Sequence, residues 1–310
     1  MILVNNPASF PALLRPSVVT IGKFDGLHCG HRDLIARVRE ESLARGLTSV
    51  VVTFDRHPAA LFAPERAPKP VVSLLQKEEL LADSGVDATV VVPFTREFSQ
   101  MSPADFVGKF LIEQLGMRAI VLGNDFRFGF KGAGDVAYLR ELGGELGFDT
   151  IVIEDTSDDG THRASSTRIR ELLEQGDVRG AAAALDRNHR VRGVVVHGAK
   201  RGRELGFPTA NLGPETLEGY VPADGVYAGW LHVDGERLPA AISIGNNPTF
   251  EGVPQKQIEA YVLDATLDLY GNSVTVEFVD FIRPMLKFDS LEALITSLGD
   301  DVARTRELLS

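Results

Sequence analysis

Cysteine is nearly absent from the sequence: Cys29 is the only one among 310 residues. A lone thiol cannot form an internal disulfide or a cysteine-rich zinc site. Basic charge is also in deficit, with 32 Lys and Arg against 43 Asp and Glu and a formal net charge of -11. A chain whose main task was to coat nucleic acid or an anionic membrane would lean the other way, although a local basic pocket for phosphates remains compatible with an acidic average. No apolar run approaches the roughly 20 residues needed to cross a bilayer. The stretch Met1 to Pro16 lacks a basic segment followed by an apolar one, so no secretory signal is expected there. Low-complexity tracts and repeats of fixed period are missing as well. A cytoplasmic, soluble chain is the expectation.

Sufficient apolar material for sizeable cores is present: 44% of residues are hydrophobic and 24% charged. The length suits two domains of ordinary size. In the first half, short apolar runs rich in Val and Ile recur at Ser17–Ile21, Ser49–Phe54, Ala88–Val92, Arg118–Leu122 and Thr150–Ile153. Without polar alternation, such runs suit strands buried on both faces of a parallel sheet. Helical spacing fills the intervals at His31–Ala44, Leu74–Ser84, Pro103–Leu115 and Val136–Leu146. Gly46, Gly85, Gly116 and Gly147 follow these segments where a left-handed cap is wanted. Ser102-Pro103 reads as an N-cap and a first-turn proline. Strand–helix repetition predicts a doubly wound α/β domain.

Beyond Ser165–Gln175 and Asp177–Leu185, which read as two short helices, the pattern changes near Arg187. Strand-like runs follow at Val191–His197, Val226–Asp234, Leu238–Ile244, Ile258–Asp264 and Ser273–Ile282, separated by turn signals such as Asp234-Gly235. Strands this closely spaced predict an antiparallel barrel or sandwich, and Ser290–Leu309 predicts a final amphipathic helix against it. The expected domains are 1–186 and 187–310.

The sharpest signal of the first half is Gly22-Lys23-Phe24-Asp25-Gly26-Leu27-His28-Cys29-Gly30-His31, between the first predicted strand of that series and its helix. A strand–turn–helix junction places free backbone N–H groups and the positive end of a helix beside a bound anion. Gly26 and Gly30 would let the backbone approach a phosphate, and His28 and His31 would donate to charge developing on it. The same spacing also fits a Rossmann-type turn whose histidines only cap a helix. A zinc reading through His28, Cys29 and His31 lacks a matching second ligand cluster. In the second half, Gly198-Ala199-Lys200-Arg201-Gly202-Arg203-Glu204-Leu205-Gly206-Phe207-Pro208-Thr209-Ala210-Asn211 is a Gly-rich basic loop able to wrap a polyphosphate, or simply a flexible hairpin loop. It does not close as a Walker A loop. Thr209 and Asn211, two apart on an expected strand, share one face.

These residues carry a resemblance. Phe-Asp-Gly-x-His-x-Gly-His is similar to the signature of the HxGH nucleotidyltransferases, in the form used by prokaryotic bifunctional FAD synthetases. Thr53-Phe54-Asp55-Arg56-His57-Pro58, Gly123-Asn124-Asp125-Phe126-Arg127-Phe128-Gly129 and Ser165-Ser166-Thr167-Arg168-Ile169-Arg170 follow in the family's order. Gly-Phe-Pro-Thr-Ala-Asn resembles the riboflavin kinase signature, and Pro222-Ala223-Asp224-Gly225-Val226-Tyr227, Gly245-Asn246-Asn247-Pro248-Thr249-Phe250 and Ile258-Glu259-Ala260-Tyr261 continue it.

The resemblance implies phosphorylation of riboflavin by ATP to FMN in the second half, then adenylylation of FMN to FAD with release of pyrophosphate in the first. By the same resemblance, Gly22, Phe24, Asp25, Gly26, Gly30, Asp125, Arg163, Ser166 and Thr167 would hold ATP or its phosphates, with His28, His31 and Arg170 acting on the transferring charge. Gly198, Lys200, Gly202, Gly206, Phe207, Pro208 and Asn247 would hold ATP in the kinase half, where Glu259 would be the general base. Outside the resemblance, Glu259 also reads as an outward-facing strand glutamate. Mg²⁺ is the implied cofactor, on Thr209 and Asn211, with Asp125 as a further metal position. Phe62, Phe106, Phe128 and Arg283, with Phe288, would border flavin, although by composition the phenylalanines also suit a core. Lys23 stands where the family commonly has asparagine. The implied partners are small molecules (ATP, riboflavin and FMN), without nucleic acid or membrane, and a homo-oligomer is left open.

Overall fold

A computed structural model of the chain describes residues 1–153, 164–197, 206–246, 256–265 and 267–310. The chain divides into two compact units, Met1–Pro70 with Leu74–Arg163, and Val71–Ser73 with Ala164–Ser310.

The first unit runs β1 (Ile2–Val4), β2 (Ser17–Ile21), α1 (Cys29–Arg45), β3 (Thr48–Phe54), α2 (Ala59–Phe62), α3 (Leu74–Asp83), β4 (Ala88–Val92), α4 (Arg96–Ser99), α5 (Pro103–Asp105), β5 (Met117–Gly123), α6 (Val136–Leu146) and β6 (Asp149–Ile153). Helix α5 continues with wide π-type turns over Phe106–Gln114. The strands form one parallel sheet in the order β1-β4-β3-β2-β5-β6. Alternate side chains of the unbroken apolar strands serve opposite faces. Val19, Ile21, Val50, Val52, Ile120 and Leu122 pack with Phe106, Phe110, Leu111 and Leu139. Val18, Ala119 and Val121 pack with Val38, while Val51 joins Phe24, Leu27, Ile35 and Leu81. Each fully buried aliphatic side chain contributes roughly 1.5–3 kcal/mol over leaving it in water. The helix ends behave as their glycines require: Gly46, Gly85, Gly116 and Gly147 all have positive φ. Ser102 Oγ accepts from the Asp105 N–H at 3.1 Å, capping α5 ahead of Pro103. The edge strand β1, too short to signal itself in the sequence, pairs with β4.

The second unit begins with α7 (Ser166–Glu174) and α8 (Val178–Leu185) and continues through β7 (His189–Val196), β8 (Thr209–Leu212), β9 (Gly225–Val233), β10 (Glu236–Asn246), β11 (Lys256–Val262), β12 (Ser273–Arg283) and α9 (Leu291–Leu309). Its strands close into an antiparallel barrel, β10-β11-β8-β7-β12-β9. Of the two architectures left open by strand spacing, the barrel is the one formed. Tyr227, Leu231, Ile242, Ile258, Ala260, Val276 and Phe278 fill its interior. Gly229 is obligatory: a Cβ there would run into the backbone carbonyl of Glu277 on the neighbouring strand. Helices α7 and α8 belong to this unit, ahead of the Arg187 boundary expected from the pattern change. Ala223 N–H donates to the Leu173 carbonyl of α7 at 2.8 Å, and the Tyr220 hydroxyl donates to Glu174.

Candidate functional site

In the sheet of the first unit, the chain leaves β2 by way of α1 for β3 on one side, while β5 lies on the other. The strand order therefore reverses between β2 and β5, and open α/β sheets take ligands at the carboxyl ends of strands flanking such a point. Two of the motifs noted in the sequence emerge there, Gly22–His31 after β2 and Gly123–Gly129 after β5.

The turn after β2 is unusual backbone. Phe24, Gly26 and Leu27 have φ of 47°, 85° and 43°. Left-handed conformations at bulky residues persist only when the surroundings impose them. Here burial does so: Phe24 and Leu27 are anchored in the core beside Ile35 and Val51. Gly22 makes room for that anchor, since a Cβ would lie 3.0 Å from the Phe24 ring. The Phe24 ring is wholly buried, so only its backbone is available to a ligand. His28 is the N-cap of α1, and its ring stacks on that of His31 with centroids 3.7 Å apart and planes at 22°. Phe24 approaches His31 at 5.1 Å. Asp25 is half-buried, while Gly30 and Asp125 are exposed. The result is a helix N-terminus with two adjacent imidazoles, a geometry suited to an oxyanion.

A residue overlooked in the sequence lies under this turn. Lys77 of α3 is 8% exposed, and its ammonium donates to the Lys23 carbonyl at 3.3 Å, Thr53 Oγ1 at 3.2 Å and the Phe54 carbonyl at 2.8 Å. Burial lowers its pKa below the usual lysine value, against the pull of Asp25, Glu78 and Asp55. Its only signal in the sequence is a cation in the inward row of a helix, between Leu74 and Leu81.

The three phenylalanines assigned to flavin part company. Phe106 and Phe128 are 5% exposed and join the aromatic cluster of the core, their centroids 5.4 Å apart, whereas Phe62 is 62% exposed on α2. Ser166, Thr167 and Arg170 lie together on α7 in the second unit. Ser165 Oγ caps that helix by accepting from the Arg168 N–H at 3.1 Å, and Arg170 Nη2 donates to Thr167 Oγ1 at 3.4 Å. Arg163, Gly198, Lys200, Gly202 and Asn247 lie outside the described residues.

In the barrel, strand register assembles the second cluster. Antiparallel pairing sets Glu259 opposite Asn211 and Tyr261 opposite Thr209. Thr209 Oγ1 donates to Glu259 Oε2 at 3.2 Å, and Asn211 Nδ2 donates to Thr209 Oγ1 and to the Thr209 carbonyl, both at 3.2 Å. A hydroxyl, an amide and a carboxylate thus meet on one half-buried face. Phe207 packs edge-on to Tyr261 at 5.3 Å beside Pro208, after Gly206 with φ 85°. Arg283 is engaged elsewhere. Its Nε and Nη2 donate to the two Asp301 carboxylate oxygens at 2.8 and 2.7 Å, and Nη1 to the Pro284 carbonyl at 3.1 Å. That buried fork ties α9 to the barrel, with the Phe288 ring 5.7 Å away.

Residues 11–168 match the family model described as FAD synthetase, and residues 185–309 that described as riboflavin kinase. Together with the α/β sheet and the closed barrel, these matches define the class: a nucleotidyltransferase followed by a kinase in one chain. The bifunctional riboflavin kinase/FMN adenylyltransferase of Pseudomonas fluorescens is 37% identical over 294 residues, covering 95% of this chain and 93% of that protein. The protein of the same description from Escherichia coli K12 is 38% identical over 292 residues, covering 94% and 92%. The chain belongs to the bifunctional riboflavin kinase/FMN adenylyltransferase family. A crystal structure from Streptococcus pneumoniae, described as a macrolide-efflux protein, shares the fold over 98% of each chain, with a TM-score of 0.88 and 32% identity. Among the described residues, no helix is long and apolar enough to cross a membrane.

Proposed function

We propose that 187–310 phosphorylates riboflavin and that 1–186 adenylylates the product, with the residues below in the stated roles. The observation that carries the kinase assignment is the Thr209–Asn211–Glu259 cluster. Glu259 takes the proton of the riboflavin 5′-hydroxyl as that oxygen attacks the γ-phosphorus of ATP, and ADP leaves. Thr209 Oγ1 and Asn211 Oδ1 would hold Mg²⁺, which when bound neutralises charge on the phosphates; clustered oxygen donors fit such a hard cation. Gly206, Phe207 and Pro208 shape the ATP side, continued by Gly198, Lys200, Gly202 and Asn247.

For the second step, an oxygen of the FMN phosphate attacks the α-phosphorus of ATP in line, and pyrophosphate departs. No protein nucleophile is required, so positioning and charge stabilisation carry the reaction. The turn from Gly22 to Gly26, with Gly30, offers its backbone to the triphosphate, and His28 and His31 donate to the developing charge. Asp125 would serve on the ATP side as a further oxygen donor for a bound Mg²⁺. For a phosphate, α7 offers the hydroxyls of Ser166 and Thr167 and the guanidinium of Arg170. Phe62 is the flavin contact among the three phenylalanines, because Phe106 and Phe128 are buried in the core while Phe62 is exposed. Arg283 supports the flavin site only by holding α9. The partners are ATP, riboflavin and FMN, without nucleic acid. A cytoplasmic place suits a chain with a single thiol, where disulfides do not persist.

Incubation with riboflavin, ATP and Mg²⁺, with separation of riboflavin, FMN and FAD over time, tests this. Sequential appearance of FMN then FAD, with ADP and pyrophosphate released, is expected; flavin binding without either product would overturn it.

A further inference from the structure

We propose that Lys77 is a positioning residue for adenylyl transfer, acting through the turn that follows β2. This rests on the assignment of that turn to the ATP phosphates.

Its ammonium has three donors, and all three are used on two different parts of the sheet's carboxyl edge: the Lys23 carbonyl in the turn, and Thr53 Oγ1 and the Phe54 carbonyl at the end of β3. Thr53 Oγ1 also donates to the Lys23 carbonyl at 3.2 Å, closing a small ring of hydrogen bonds. The carbonyl they share belongs to the peptide joining Lys23 to Phe24, immediately before the first left-handed residue of the turn. A trans peptide is planar, with its C=O and N–H pointing in opposite directions. Holding that oxygen down onto the buried ammonium therefore turns the Phe24 N–H the other way, and it fixes the plane from which the left-handed path through Phe24, Gly26 and Leu27 starts. Such a path is maintained only if its surroundings over-determine it. The Phe24 ring does this through packing, and Lys77 does it through the backbone.

A buried lysine is a costly way to tie two loops, since its charge must leave water. A neutral side chain would suffice for packing alone. A fixed positive charge beneath a turn that receives a polyphosphate also adds to the field of the α1 N-terminus, at no cost of reorganisation when the anion arrives.

The test is Lys77→Met in the full chain, assayed separately for riboflavin-to-FMN and FMN-to-FAD conversion. We expect kcat/KM for ATP in FAD formation to fall by about tenfold or more, in keeping with the sensitivity of such steps to small misplacements. KM for FMN and the rate of FMN formation should stay within about twofold of the parent. FAD formation at the parent rate overturns the proposal, as does an equal fall in both activities of a variant that remains folded. Should Lys77→Met not fold, Thr53→Val breaks the same ring more gently; a smaller loss confined to the ATP side supports the proposal, and unchanged ATP kinetics overturn it. A paired His28→Ala, His31→Ala variant separates the two levels of inference. If it still makes FAD, the assignment of the turn itself fails; if it does not while Lys77→Met does, only the role of Lys77 fails.

Discussion

The two regions proposed to handle phosphate are built by opposite means. After β2 the working groups are backbone amides and two imidazoles at a helix start, set by a strained turn whose anchors lie in the core. On β8 and β11 they are side chains of regular strands, aligned because Glu259 pairs with Asn211. The first arrangement is a conformation and the second a register. A conformation is damaged by anything that changes backbone freedom, whereas a register tolerates such change and is damaged by truncating a side chain.

The largest expected effect lies on the register side. Glu259→Ala should lower FMN formation by about 10²- to 10⁴-fold, the usual worth of a general base, while FMN-to-FAD conversion continues. The paired His28→Ala, His31→Ala change should do the reverse, lowering FAD formation by about 10²- to 10³-fold with FMN formation retained. If either variant lost both activities while remaining folded, the separation into two sites would be wrong.

Acid distinguishes the regions next. Glu277 is buried in the barrel wall at 3% side-chain exposure, where burial opposes its charge. Hydrogen bonds from Asn188, Arg190, Arg237 and His232 outweigh that cost and hold its pKa down to about 2. A carboxylate depressed in the folded state adds stability that is complete above its ordinary value and lost as pH falls toward 2. The amount is about 2 kcal/mol, because the solvent-facing parts of Arg190 and Arg237 screen the pairs. Acid titration followed by thermal melting should show this loss between about pH 5 and pH 2, and Glu277→Gln should flatten it.

The smallest effect probes conformation. Gly26→Ala at φ 85° should cost about 1 kcal/mol in the turn and raise KM for ATP in FAD formation about fivefold, leaving the kinase untouched. An unchanged KM would mean that the turn's left-handed path does not matter to ATP.

How much of this was legible in the amino-acid string follows from the range of each interaction. Unbroken Val and Ile runs announced parallel strands because burial on both faces is a local property of those residues. Gly46 and Gly147 marked helix ends because left-handed caps favour glycine wherever they occur. His28, His31 and Thr209 stood out through their spacing, and Glu259 through the family resemblance. Their assembly did not: the bond from Thr209 to Glu259 depends on β8 pairing with β11, strands far apart in the chain. The stacking of His28 on His31 depends on the path that Phe24 takes into the core.

Other roles were decided by tertiary structure alone. Lys77 reads as an ordinary helical lysine until α3 packs beneath the turn and burial directs its ammonium to three oxygens. Arg283 reads as available for a ligand until Asp301 arrives from α9 and takes its fork. Helices α7 and α8 look like the close of the first half, yet their contacts place them with the barrel. The sequence by itself determined which elements form, which family the chain resembles and which residues are candidates to carry chemistry, because propensity, periodicity and motif spacing act over short stretches. Only the folded chain decided which donor meets which acceptor, because hydrogen bonds are short-ranged and directional, and their partners are brought together by register and packing between distant segments.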